Sequence, residues 1–363
     1  MGLNILTIAG RQNTRMASEQ FLFLLEEYTM KQTGLYKMVG FVMGVVLVLP
    51  FAAMSAAPAT PAEKGITGDW LLKIDFDGRQ MNSIVCFSKD KEGKLAGQWI
   101  GFFGLGELQD VKYEGNNLSF LQISRFGDQE FKMTFAGKLD GDQISGTLSS
   151  DRGESKVEGQ RVKPMPAAVG SWEMKVKMGE REFTATLVVK ADKEGKLTAD
   201  WQSQFGEHQI TDVQFEKGKL TFKRTSKIQD RQFESTFEGT VKADALSGTF
   251  KSERGESAAE GKRIGAALIG KWELEITFES GNLRQILQVN PDLSGMYGPM
   301  PVKKINLEGD KVTFQIVLEF GDQKFEINFA GKLDGQKLTG EFTSERGTQK
   351  ATGKKLIPAP KKG

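Results

Sequence analysis

The sequence predicts an all-β protein built as three tandem antiparallel eight-stranded up-and-down β-barrels. Three observations carry this. Gly68-Asp69-Trp70-Leu71-Leu72-Lys73-Ile74-Asp75-Phe76 returns as Gly170-Ser171-Trp172-Glu173-Met174-Lys175-Val176-Lys177-Met178, and again as Gly270-Lys271-Trp272-Glu273-Leu274-Glu275-Ile276-Thr277-Phe278. In each copy Trp and every second residue after it are apolar and most of those between are charged, the period of a strand with one buried face. The three tryptophans are 102 and 100 residues apart, and self-similarity at a fixed period marks repeated folding units. No proline lies between Trp70 and Arg161 or between Trp172 and Arg263, as uninterrupted strand ladders require.

Composition bounds the rest. The 363 residues allow two or three domains, and 49 Lys+Arg against 47 Asp+Glu give no charge bias toward nucleic acid. One cysteine, Cys86, precludes an intrachain disulfide, and one histidine, His208, leaves no pair of imidazoles for a metal or a triad.

Taken in order, residues 1–29 carry Glu19, Glu26 and Glu27 and read as an extension ahead of a start at Met30. Residues 30–57 read as a signal peptide: Lys31 and Lys37, then the uncharged run Met38 to Met54, then Ser55-Ala56-Ala57, with cleavage near Ala56 to Ala59. An uncleaved leader would be the chain's one tie to a membrane. Residues 58–67 are a linker, and the barrels span 68–163, 168–264 and 268–357, followed by a tail at 358–363.

Within repeat 1, turn residues recur at Asp77-Gly78, Glu92-Gly93, Gly104 to Gly106, Glu114 to Asn117, Gly127-Asp128, Asp140 to Asp142 and Arg152-Gly153, dividing it into eight strands. Later strands keep the alternation, as in Phe131/Met133/Phe135, Phe233/Phe237 and Phe325/Ile327/Phe329. Gly137, Gly239 and Gly331, then Gly146, Gly248 and Gly340, recur at fixed strand positions and predict a bend or bulge where the sheet coils. Eight such strands close into a barrel; a two-sheet β-sandwich is the competing solution.

Each unit ends on Gly159-Gln160-Arg161, Gly261-Lys262-Arg263 or Gly353-Lys354-Lys355. With the Gly-x-Trp at the start, this pairing resembles the lipocalin-like (calycin) barrels, and is similar to avidin-like barrels and to small tandem barrels of secreted bacterial proteins. The resemblance implies that the last-strand cation covers the Trp ring at the closed end, pairing Trp70 with Arg161, Trp172 with Arg263 and Trp272 with Lys355. The units are shorter than lipocalins and show no flanking helix, which argues against a roomy cavity.

No side-chain set spells out chemistry. Cys86 lacks a histidine and reads as a surface or interdomain thiol. His208 follows Phe205-Gly206-Glu207 and reads as a solvated loop residue. Asp75-Phe76-Asp77-Gly78 and Asp140-Gly141-Asp142 lack the further oxygen ligands of a calcium loop and read as turns. Ser150-Asp151-Arg152-Gly153, Ser252-Glu253-Arg254-Gly255 and Ser344-Glu345-Arg346-Gly347 read as hairpin turns capping the barrel mouths. No enzyme, cofactor or metal is expected.

The repeats differ in one place. Trp99 to Val111 and Trp201 to Val213 each span 12 residues, whereas Tyr297 to Ile305 spans 8. Repeat 3 has lost four residues from the strand three–four connection. In repeat 1 that connection is apolar, which makes Trp99, Phe102, Phe103 and Leu105 candidate ligand contacts; Trp201, Phe205 and His208 are the counterparts in repeat 2. Phe102 and Phe103 plugging their own barrel is the alternative. The expectation is a non-catalytic extracytoplasmic binding or adhesion protein with its main contact in repeat 1, a weaker one in repeat 2 and none in repeat 3. Its ligand is a glycan, an apolar small molecule or an envelope protein. A structural spacer is the other reading.

Overall fold

The computed structural model describes residues 65–356 apart from 77–78, 127–128, 229–230, 280, 303 and 321–322. The leader, most of the first linker, the tail and the turns Asp77-Gly78 and Gly127-Asp128 lie outside the described residues.

Barrel 1 is made of β1 (Gly68–Phe76), β2 (Arg79–Lys89), β3 (Leu95–Gly101), β4 (Gly104–Glu114), β5 (Asn117–Phe126), β6 (Gln129–Asp140), β7 (Gln143–Ser150) and β8 (Gly153–Arg161). Each strand pairs with the next, and β1 pairs with β8 through Trp70↔Arg161, so the sheet closes and the sandwich is excluded. Barrel 2 repeats the meander with β9 (Gly170–Met178), β10 (Arg181–Ala191), β11 (Leu197–Gln202), β12 (Glu207–Glu216), β13 (Lys219–Ile228), β14 (Arg231–Lys242), β15 (Ala245–Ser252) and β16 (Gly255–Arg263). Its seam falls between β11 and β12, the two ends of the ladder.

Barrel 3 has nine strands: β17 (Gly270–Phe278), β18 (Gly281–Val289), β19 (Gly295–Tyr297), β20 (Met300–Val302), β21 (Ile305–Glu308), β22 (Lys311–Phe320), β23 (Gln323–Asp334), β24 (Lys337–Ser344) and β25 (Gly347–Leu356). The ninth arises where repeat 3 is shortened. β20 and β21 are the two ends of its sheet, and Pro301, which has no N–H for a further ladder, lies in β20.

The inward phase is filled in every barrel. Trp70, Trp172 and Trp272 are wholly buried, and each indole N–H donates to a carbonyl four residues upstream, at Ile66 (2.8 Å), Ala168 (2.9 Å) and Leu268 (2.7 Å). Over these rings lie the last-strand cations. The Arg161 guanidinium is 4.1 Å from the Trp70 ring centre, that of Arg263 4.0 Å from Trp172, and Lys355 Nζ 5.5 Å from Trp272. Arg161 Nε also donates to Asp142 (2.7 Å) and Arg263 Nε to Asp244 (3.1 Å). Repeat 3 has Gln336 where those aspartates stand, so its own paired carboxylate is lost where the arginine has become lysine.

Arg263 also donates to the carbonyls of Val169 and Ala167, fastening the chain entering barrel 2 to its last strand. Arg263→Ala is expected to cost roughly 2–3 kcal/mol, because a desolvated cation–π contact and buried hydrogen bonds go together. Lys355→Ala should cost about 1 kcal/mol, because its ring contact is longer and one carbonyl, that of Ala267, accepts from it. Denaturant titration of the two variants checks the order; equal losses would remove the lid argument.

The recurrent strand glycines are not bulges. Gly137 lies opposite Gly146, Gly239 opposite Gly248 and Gly331 opposite Gly340 in unbroken register. A phenylalanine two residues upstream folds over each pair: a Cβ on Gly239 or Gly248 would meet Phe237 Cζ at 2.5 and 2.7 Å. The glycines make room for the ring, and the ring covers the backbone they leave bare. The register shifts occur elsewhere, between Gln109 and Lys112 and between Thr211 and Gln214, where Asp110 and Asp212 have positive φ of 52° and 55°.

Candidate functional site

The apolar connection of repeat 1 is a two-residue hairpin. Phe102 and Phe103 form its tip and Gly101 pairs with Gly104, so the turn sits one step before the expected Gly104 to Gly106. One flank of this hairpin is docked on barrel 3. Gln285 Nε2 of β18 donates to Gly101 O at 2.9 Å. A Cβ on Gly104 (φ 100°) would lie 2.7 Å from Leu283 Cδ1 and 2.8 Å from Arg284 O, so only glycine lets the two backbones approach. Ile100 and Ile286 sit on the outward phase of their strands yet are 2% and 3% exposed.

Beside the hairpin, Lys271 Nζ lies 2.6 Å from Asp69 and 3.6 Å from Cys86 Sγ. Of the two readings of Cys86, the structure takes the interdomain one. Burial, followed by the Asp69 charge, pushes its thiol up to about 12, which leaves it un-ionised and inert.

The candidate contacts of repeat 1 therefore separate. Trp99 points into its own barrel and is 3% exposed, Phe102 and Leu105 are half-buried, and Phe103 is exposed beside the Phe102 ring, 5.1 Å away. Phe103, being exposed, does not plug barrel 1, and one flank of its hairpin reaches barrel 3.

Repeat 2 gathers its candidates into a site. The equivalent strands β5, β13 and β22 face inward at four successive alternate positions: Leu118, Phe120, Gln122 and Ser124 in barrel 1, Leu220, Phe222, Arg224 and Ser226 in barrel 2, and Val312, Phe314, Ile316 and Leu318 in barrel 3. The first two are apolar throughout. At the third, barrel 2 carries a cation. The Arg224 guanidinium lies 4.0 Å from the Phe250 ring centre and 4.9 Å from that of Trp201, and its Nε is buried without a hydrogen-bond partner. No carboxylate among the described residues pairs with it, and burial pulls its pKa down to about 10, so it is charged at neutral pH.

His208 is not a solvated loop residue. It is the second residue of β12 and faces inward, with Nε2 2.8 Å from Ser203 Oγ and Nδ1 2.9 Å from Ser226 Oγ. Burial first, then the Arg224 charge, hold its pKa below the usual imidazole range, so the ring is neutral at physiological pH. Trp201 is buried beneath this cluster and Phe205 stands above it, 5.4 Å from the Phe183 ring.

Around the cluster runs an apolar rim. Met178, Phe205 and Ile228 are 53%, 48% and 39% exposed at the end of barrel 2 away from its tryptophan lid, and Arg254 covers the Phe233 ring there at 4.2 Å. Arg254 belongs to the Ser-Glu-Arg-Gly turn, in which the Ser252 hydroxyl accepts from the Arg254 backbone N–H at 3.3 Å. The opposite, closed end abuts barrel 3, where Pro291 O would lie 2.5 Å from a Cβ on Gly170. The mouth therefore sits at the end remote from that contact.

Among the described residues, barrels 1 and 3 offer no equivalent. Gln122 donates to Ser124 Oγ and its Oε1 has no partner; Ile316 is buried among apolar neighbours. Sequence reasoning missed Arg224, although its signal was present: an arginine in phase with Leu220 and Phe222.

Fold and site define a protein of three tandem antiparallel β-barrels. No family model matches the chain, and the search of curated proteins returns no match. Solved structures similar to it include a candidate outer membrane protein of Bacteroides fragilis, at 12% identity and a TM-score of 0.22 over 54% of this chain and 96% of that one. Others are transferrin-binding protein B of Haemophilus parasuis (11% identity, TM-score 0.18, 79% and 75% covered) and of Neisseria meningitidis (12%, 0.17, 77% and 67%). At TM-scores this low no role is transferred from them.

Proposed function

We propose that the chain is a non-catalytic extracytoplasmic binding protein of lipocalin-like barrels, in which barrel 2 binds and barrels 1 and 3 brace one another. The observation that carries this is the mouth of barrel 2: an uncompensated arginine, a histidine held by two serines and an apolar rim, in a frame that barrels 1 and 3 fill with Gln122 and Ile316. The ligand class stays within a glycan, an apolar small molecule or an envelope protein. Filled interiors in all three barrels favour binding at the rim over enclosure. For barrels 1 and 3, whose exposed polar groups converge on no mouth of this kind, a spacer role is the better reading.

The test is a screen of the full chain against envelope glycans and apolar molecules, followed by tryptophan fluorescence. Phe205→Ser/Ile228→Ser should weaken any binding found by about tenfold or more, whereas Phe103→Ser should leave it unchanged. Binding that follows Phe103 instead would return the site to repeat 1, and no binding at all would leave the spacer reading. Export rests on the basic-then-apolar leader before Ala57; a native protein beginning between Ala57 and Thr60 would support it, and one beginning at Met1 would overturn it.

A further inference from the structure

The reading of barrel 2 as the binding element leaves open what its mouth takes, and the inference here rests on that reading. Arg224 has three properties that bear on it. Its guanidinium carbon lies 4.0 Å from the Phe250 ring centre and 4.9 Å from that of Trp201, so the two rings hold it in place. Its Nε is buried and lacks an acceptor. The fold does not require a charge at this position, because Gln122 and Ile316 occupy it in the sister barrels. A half-buried arginine whose Nε is kept from water, with no counter-charge among the described residues, is costly, and natural proteins carry such groups where something else completes them.

We propose that the mouth of barrel 2 binds a small amphiphilic carboxylate, with its head on Arg224 and its apolar body against Met178, Phe205 and Ile228. One uncompensated positive charge is balanced by one negative charge. The planar guanidinium fork matches the two oxygens of a carboxylate in a way an ammonium would not. Ser203, Ser226 and neutral His208 stand beside the head as further hydrogen-bonding groups. Below Arg224 the interior is filled by Trp201, Phe222, Phe237 and Phe250, whose rings contact one another at 4.8–6.0 Å. The head therefore descends no further than the guanidinium, and the body remains at the rim. That geometry selects medium-chain or aromatic acids over long chains that need an enclosed cavity.

Octanoate, octyl phosphate and octanol titrated into the full chain, followed by tryptophan fluorescence and Tm, test this. Octanoate should bind saturably and raise Tm, with octanol weaker by about tenfold or more. Arg224→Met should weaken octanoate binding roughly ten- to a hundredfold, Arg224→Lys less. Without ligand, Arg224→Met should keep or raise the Tm, because it removes an uncompensated charge. Equal binding of octanoate and octanol, or undiminished octanoate binding by Arg224→Met, would overturn the proposal while leaving an apolar binding mouth. A lowered Tm in Arg224→Met together with unchanged octanoate binding would assign the arginine to ring stacking alone. Stronger binding of octyl phosphate than of octanoate would overturn the carboxylate assignment. Absence of binding by all three probes, with rim variants equally silent toward other ligands, would remove the barrel 2 reading itself.

Discussion

Phe237→Ala is expected to cost barrel 2 about 3–5 kcal/mol, the range for deleting a wholly buried aromatic ring. Phe237 is 1% exposed and stacks on Phe222 at 4.8 Å, with Phe250 at 4.9 Å. It also lies over the Gly239–Gly248 pair, where its Cζ is the near neighbour of both glycines. Truncation thus opens a cavity and bares two strands that have no side chains of their own to close it. The cavity cannot be refilled from the glycine side. A Cβ on Gly248 would lie 2.5 Å from Glu238 O and 2.6 Å from Gly239 Cα, both backbone atoms. Gly248→Val should therefore fail to rescue Phe237→Ala and should destabilise on its own. Urea unfolding followed by tryptophan fluorescence measures the loss. A cost below about 1 kcal/mol would mean that the ring is packing filler and not the cover of the glycine pair. Phe135 and Phe329, equally buried over Gly137–Gly146 and Gly331–Gly340, provide the same test in the other barrels.

Gly104→Val should detach barrel 1 from barrel 3. The new side chain would collide with Leu283 and with the backbone of Arg284, at a position whose φ of 100° already disfavours any residue but glycine. Separation withdraws Gln285 from Gly101 O and exposes Cys86, whose thiol is held un-ionised at the contact. The native chain should react slowly with an aromatic disulfide reagent, and the variant faster by roughly tenfold or more. Lys271→Ala should have a smaller effect, since its ion pair with Asp69 is about one-third exposed. Unchanged thiol reactivity in Gly104→Val would show that the hairpin does not hold the two barrels together.

This contact also gives repeat 3's four-residue deletion a physical setting. The hairpin that is long in repeat 1 meets β18, which pairs with the short β19 of repeat 3, and β19 in turn pairs with the short β20. The length difference was visible in the sequence, but it pointed outward, to an external ligand. The structure turns that hairpin toward a neighbouring repeat, and the proposed site lies instead at the mouth of barrel 2.

By itself the sequence determined the class of fold and the number of units, and its resemblance to lipocalin-like barrels implied the tryptophan lids. These rest on relations of fixed offset, alternation along one strand and a cation at the end of the last strand, whereas the glycines read as bulges turned out to make room for a phenylalanine ring. Within one repeated unit such offsets translate directly into contact, because an antiparallel meander brings each strand against the next. Only the tertiary structure decided that Cys86 lies between barrels, that one repeat's hairpin rests on another, and that the Nε of Arg224 finds no hydrogen-bond acceptor among the described residues. Those outcomes depend on how closed barrels meet and on which inward groups find an acceptor. Neither is written in a spacing, since the partner of each group is set by packing across more than a hundred residues or by its absence.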